Sequence, residues 1–175
     1  MKITKFHRAA SVIKFSVENP TDQGEETVSK ECPEAPFKEC DDALQGLIDV
    51  IISVMELPLH WAGKPDARTV LVTGFDISYT KAGTRSIKVY FTKAYRCGKT
   101  EKLKTPLVQI DDPQEGETEE SALAIGERVV CNAALEQATL YIGGHRQDMN
   151  VKGIQLGRPE DPNQETLGLE EKESE

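Results

Sequence analysis

Three strand candidates follow one another in RTVLVTGFDISYTKAGTRSIKVYFTKAYRCGKTEKLKTPLVQI, residues 68–110. They cover residues 68–80, 84–95 and 101–110, and in the middle one apolar and polar residues alternate, as in a strand with one buried face. Only the short segments KAG and RCGKT separate them. Because short connections favour antiparallel neighbours, this stretch predicts a three-stranded meander.

The N-terminal third contains three more strand candidates, KITKFHRA (2–9), SVIKFSVEN (11–19) and the weaker ETVSKEC (26–32). The segment NPTDQGEE (19–26) has the composition of a turn. From residue 38 to 57 the apolar positions recur at steps of three and four residues, which predicts a helix that ends at Pro58. A second helix is predicted at 119–142, ending at the pair Gly143–Gly144.

Together these elements predict one α+β domain over residues 1–145. Its antiparallel strands follow βββα-βββα order, with the two helices packed on one face of the sheet. The segment 146–175 is predicted to be an acidic, largely disordered tail. Its last part, PEDPNQETLGLEEKESE, holds seven acidic residues and one lysine.

Composition narrows the class of protein. The 175 residues carry a net charge of −9, and 38% of them are hydrophobic. No apolar run approaches the roughly 20 residues of a membrane span, and the charged N-terminus lacks the apolar core of a signal peptide. We therefore expect a cytoplasmic protein that does not enter a membrane.

The four cysteines form no CxxC pair, which favours reduced thiols over disulfides. A zinc site built from Cys32, Cys40 and His60 is disfavoured, because structural zinc ligands usually come in pairs two to four residues apart. No metal and no cofactor is expected.

Positive charge is concentrated in residues 77–104, which hold eight basic residues and one acid and so carry a local charge of +7. The remainder of the chain carries −16. In the middle strand Ile87, Val89 and Phe91 fall on one face and Lys88 and Tyr90 on the other. The candidate binding residues of this segment are Lys81, Arg85, Lys88, Tyr90, Lys93, Tyr95, Arg96, Lys99, Lys102 and Lys104.

A basic sheet surface with tyrosines is typical of proteins that bind single-stranded nucleic acid, because lysines neutralise phosphates and rings stack on unpaired bases. The leading hypothesis is therefore a nonenzymatic single-strand-binding protein, with Lys93, Tyr95 and Lys99 extending the surface around the hairpin tip. The residues do not distinguish DNA from RNA.

Two alternatives remain open. The lysines can be a solvated face that keeps the sheet from pairing with other chains. The protein can also be an interaction or inhibitor protein whose acidic surface, including Asp111, Asp112 and Glu115, imitates a phosphate backbone. Under the leading hypothesis, the acidic tail would be a regulatory element or would dock a protein partner. The broad apolar face of the first helix is compatible with a homodimer.

Other motifs fail on inspection. The segment CGKT (97–100) ends like a P-loop, but Lys93 stands where the first glycine belongs. The segment DDPQEGETEE (111–120) resembles a calcium loop but has Pro113 at the third ligand position. None of the three histidines lies in a recognised catalytic arrangement, so an enzyme is not expected. His60 and Trp61, in the loop 58–67, mark the best candidate for a small-molecule pocket.

The order helix, three strands, helix at 38–142 is also that of double-stranded-RNA-binding domains. Their second helix begins with a lysine cluster, whereas EGETEESALA stands here and would repel phosphates.

The segments VTGFDISYTKAGTRSIKVYFTK (72–93) and KTPLV (104–108) resemble small uncharacterised accessory proteins that phages and prophages encode near replication and recombination genes. This resemblance spans residues 72–108 and includes no catalytic motif. It implies a role with single-stranded DNA or with a replication partner, and it assigns no residue roles.

Overall fold

The structure, a computed structural model, describes residues 1–9, 12–21, 24–58, 69–112 and 122–144. In chain order its elements are β1 (Lys2–Ala9), β2 (Val12–Thr21), β3 (Gly24–Cys32), α1 (Lys38–Gly46), α2 (Ile48–Val54), β4 (Val70–Tyr79), β5 (Arg85–Ala94), β6 (Thr100–Lys104), β7 (Val108–Gln109) and α3 (Ile125–Ile142). The predicted tail and the predicted pocket beside Trp61 lie outside the described residues.

The strands form one antiparallel sheet in the order β3-β2-β1-β4-β5-β6, and β7 pairs with β5. Two meanders, β1–β3 and β4–β6, meet where β1 pairs with β4, with Phe6 opposite Phe75. The predicted α+β class with an antiparallel sheet is therefore confirmed. The observed element order is three strands, two helices, four strands and one helix, which differs from the expected βββα-βββα order.

The first predicted helix is divided at Leu47. Gly46, a poor helix former, ends α1, and the Leu47 N–H donates to the carbonyl of Leu44 at 3.2 Å in a tighter turn before α2 begins. Leu47, Val50 and Ile51 are fully buried. The broad apolar face of this segment therefore packs into the core of the domain. The helix ends at Val54, three residues before the predicted end.

The last predicted strand is divided at Thr105 and Pro106. The Thr105 hydroxyl accepts a hydrogen bond from the Val89 N–H at 3.0 Å, and Pro106 has no N–H to donate to β5. Leu107 is consequently 49% exposed between β6 and β7.

The core lies between the helices and one face of the sheet. The rings of Phe6 and Phe75 stack at 5.8 Å, and Tyr141 of α3 meets Phe6 edge-on at 5.7 Å. The small buried residues Ala134 and Ala138 let α3 lie close to its neighbours. No helix among the described residues is long and apolar enough to span a membrane.

Candidate nucleic-acid interface

The side chains of the sheet divide into two faces. Ile87, Val89 and Phe91 of β5 are buried beneath the helices, and the alternating residues Lys88 and Tyr90 point to the opposite side. None of the described helices packs on that side, which we call the open face. Cross-strand pairing adds Lys104 beside Tyr90 and Lys102 beside Thr92.

Four lysines of the open face have no acidic partner within 4.0 Å among the described residues. They are Lys5 of β1, Lys88 of β5, and Lys102 and Lys104 of β6. On the side of β3 the lysines are neutralised instead, since Lys2 pairs with Glu25 at 2.6 Å and Lys14 with Glu31 at 2.5 Å. Three of the four lysines without such a partner therefore lie on β5 and β6.

Two aromatic side chains meet at the centre of the open face. His7 of β1 and Tyr90 of β5 both pair with Gly74, which occupies the strand between them. Because Gly74 has no side chain, the two rings approach to 4.8 Å at an interplanar angle of 63°. A Cβ atom at Gly74 would lie 2.3 Å from the Phe6 carbonyl oxygen and 2.7 Å from the His7 Cα. No residue other than glycine fits without moving β1.

One carboxylate holds both rings. Asp76, two residues after Gly74 on the same face, accepts a hydrogen bond from His7 Nε2 at 2.7 Å and from the Tyr90 hydroxyl at 2.8 Å. The side chains of His7 and Asp76 are 29% and 26% exposed. The hydrogen bond to Asp76, followed by burial, raises the pKa of the Tyr90 hydroxyl, so this group remains protonated and continues to donate.

The position of Gly74 depends on a bulge that the helix layer stabilises. The pairing of β4 with β5 shifts between Val72 and Gly74. Gln45 of α1 is buried, donates to the Val72 carbonyl at 3.0 Å and accepts from the Val72 N–H at 3.1 Å. The helix layer thereby stabilises the backbone next to the ring pair.

Two shallow cavities indent the open face on either side of Lys5. A cavity of about 560 Å³ extends from Lys5 to Asp76 and to Lys81 in the β4–β5 turn. A second cavity of about 390 Å³ is lined by His7 and by Ser16, among others. The open face is therefore grooved along β1 and offers both charged and polar groups to a bound molecule.

The structure brings together half of the residues singled out from the sequence. Lys88, Tyr90, Lys102 and Lys104 share the open face, and Lys81 lines its larger cavity. Arg96 and Lys99 are exposed in the turn between β5 and β6.

Three predicted residues lie elsewhere. Arg85 is bound by Asp111, with Nη2–Oδ1 at 2.5 Å, and the hydrogen bond to this carboxylate raises the pKa of the guanidinium. Lys93, expected at the exposed tip, is only 6% exposed on the helix side, where Nζ donates to Thr69 Oγ1 and burial lowers the pKa of the amine.

Tyr95 is exposed at the hairpin tip, as expected, with 41% of its surface accessible, but it does not belong to the open face. Its hydroxyl donates to Glu101 Oε2 at 2.7 Å, and Glu101 pairs with Lys93 on the helix side of the sheet. Strand alternation explains Lys93, which has the parity of the buried Phe91, whereas Tyr95 follows the last residue of β5.

The sequence interpretation missed three residues of the open face, Lys5, His7 and Lys14. The alternation of KITKFHRA does place Lys5 and His7 opposite the buried Phe6. No local pattern, however, indicates that β1 lies beside β4. The two strands are distant in the sequence, since His7 and Asp76 are 69 residues apart.

The acidic residues named for the alternative function are engaged in the fold. Asp111 binds Arg85, and Asp112 pairs with Arg128 of α3. Glu115 lies outside the described residues, as does His60 of the disfavoured zinc site. Within the described part of the chain, no three His, Cys, Asp or Glu side chains are grouped to hold a metal ion.

Comparison with known proteins adds no assignment. No protein-family model, curated protein or solved structure matches this chain significantly.

Proposed function

We propose that this protein is a nonenzymatic protein that binds single-stranded nucleic acid on the open face. The observation that carries the proposal is a set of lysines around the exposed part of Tyr90 that have no acidic partner among the described residues: Lys5, Lys88, Lys102 and Lys104. In a chain of net charge −9, this local excess of positive charge complements a phosphate backbone.

The geometry suits a strand that crosses the sheet. Neighbouring strands lie about 4.8 Å apart, so β1 and β6 are about 14 Å apart across three steps. Phosphates over this span would meet Lys5, Lys88 and Lys104 in turn, and each contact would release condensed counterions.

A single strand fits better than a duplex. In a duplex the bases are stacked and paired, and the ring of Tyr90 could not reach a base face. In a single strand the bases are free to stack while the phosphates contact the lysines. The resemblance of residues 72–108 to phage accessory proteins favours DNA as the first probe.

Fluorescence anisotropy with labelled single-stranded and duplex DNA, measured over a range of salt concentrations, tests the proposal. We expect the single strand to bind more tightly. The slope of log K against log salt should approach about −3 for four phosphates, since each contributes about −0.7.

Lys104→Gln should reduce that slope by about 0.7. Lys38→Gln is the matched control, because it removes the same charge from the start of α1 in the helix layer. The absence of binding at low salt, or equal effects of the two substitutions, would contradict the proposal.

A further inference from the structure

We infer that the His7–Tyr90 ring pair is the base-binding platform of this interface, so that the protein recognises unpaired bases as well as the phosphate chain. The inference rests on the proposed function and adds the chemical group that the centre of the open face contacts.

The side chains around the rings form two rows across the sheet. The ring row is His7, Gly74, Tyr90 and Lys104, on β1, β4, β5 and β6. The lysine row is Lys5, Asp76 and Lys88, two residues along the same strands. Two residues of a strand span about 7 Å. A base stacked over the ring row would therefore leave its phosphate within reach of the lysine row.

Gly74 makes the platform accessible. A side chain there would stand between the two rings and would collide with the backbone of β1. With glycine, the ring pair lies over bare backbone between β1 and β5, and both side chains remain partly exposed. Glycine thus keeps the centre of the platform free of a third side chain.

Asp76 acts as a positioning residue. Its two hydrogen bonds fix both rings before a base arrives, so that less conformational freedom is lost on binding. Its negative charge lies directly between Lys5 and Lys88 in the lysine row. Phosphates are therefore directed to either side of the platform and away from its centre.

The decisive comparison uses two labelled probes of equal charge, oligothymidylate and the abasic deoxyribose-phosphate chain. Each has about 12 nucleotides, within the range that one single-strand-binding domain covers. The full-length protein should bind the thymidylate about 5- to 150-fold more tightly, as expected for one stacked base, and the salt slopes should be equal.

Substitutions then test which residues produce the preference for thymidylate over the abasic chain. Tyr90→Leu should remove most of the preference and keep the salt slope, whereas Tyr90→Phe, which keeps the ring but not the bond to Asp76, should retain part of it. His7→Gln keeps a donor for Asp76 and should weaken the preference. Tyr95→Leu is the matched control on the helix side and should leave it unchanged.

The outcomes separate the two proposals. If neither probe binds, the proposed function fails and the platform with it. If both probes bind equally with a clear salt slope, or if Tyr90→Leu and His7→Gln both leave the base preference intact, only the platform is overturned. Thermal unfolding of each variant identifies losses that come from misfolding. If Tyr90→Leu misfolds, His7→Gln, which removes a ring and keeps a donor for Asp76, decides the case.

Discussion

Replacing Gln45 by leucine should destabilise the protein strongly. This is so although leucine has a similar size and would place an apolar side chain at a buried position. Gln45 is 8% exposed and satisfies both the N–H and the C=O of Val72 at the bulge of β4. Leucine would leave both buried backbone groups without their partner. Each such group costs about 1–3 kcal/mol, and the additional apolar burial returns about 1 kcal/mol. Two such groups together cost about 2–6 kcal/mol, so we expect a net loss of about 1–5 kcal/mol.

Urea unfolding followed by far-ultraviolet circular dichroism measures this loss. With a slope of about 2 kcal/mol per molar urea, the middle of the usual range, the midpoint should fall by about 0.5–2.5 M without a change in the slope. Hydrogen exchange adds a local test, since the Val72 amide should be protected in the original protein and exchange faster in the variant.

Gln137→Leu provides the matched control. Gln137 is half-buried on α3 and forms no side-chain hydrogen bond within the described residues, so its loss should change stability by less than about 0.5 kcal/mol. A Gln45→Leu variant as stable as the Gln137→Leu variant would refute the reasoning. Val72 would then have found other partners, and the helix layer would not hold the bulge.

Two further substitutions test the fold. Asp111→Asn should cost about 1–2 kcal/mol at neutral pH, the lower part of the range for charged hydrogen bonds because the pair with Arg85 is about 30% exposed. The bond to Arg85 lowers the pKa of Asp111 below its ordinary 3.8, so this stability is fully present above pH 3.8 and is lost as pH falls through the lower folded pKa. In acid titrations the difference in unfolding free energy between the variant and the original protein should therefore disappear only below that pH. A difference that disappeared near neutral pH would contradict this. Gly74→Ala should destabilise the protein by about 1–3 kcal/mol, measured by thermal unfolding. Gly126→Ala is the control, in α3 with open space around it, and should be neutral or stabilising. Similar melting temperatures of the two variants would show that β1 can move.

Local patterns located most elements of the fold. The alternation of β5 placed Lys88 and Tyr90 opposite Ile87 and Val89, because successive side chains of any strand point to opposite faces. The limits were also local. The break between α1 and α2 at Leu47 is a change in the backbone of a single turn. The three- and four-residue spacing of apolar residues continues through this turn and does not indicate the break.

The candidate site was only half visible in the sequence. Alternation also implies that Lys93 shares the parity of the buried Phe91, but its position near a hairpin tip suggested exposure instead. The pairing of Arg85 with Asp111 joins residues 26 apart and has no local signature.

By itself, the sequence determined the α+β class, the alternation of faces and the concentration of lysines in residues 77–104. These follow from periodicity and composition, which are properties of neighbouring residues. Only the tertiary structure decided that β1 lies beside β4, which brings His7 to within 2.7 Å of Asp76 and both rings over Gly74. The reason is physical: the pairing of distant strands is chosen by the packing of the whole core, with Phe6 against Phe75 and Tyr141, and no short segment contains that information.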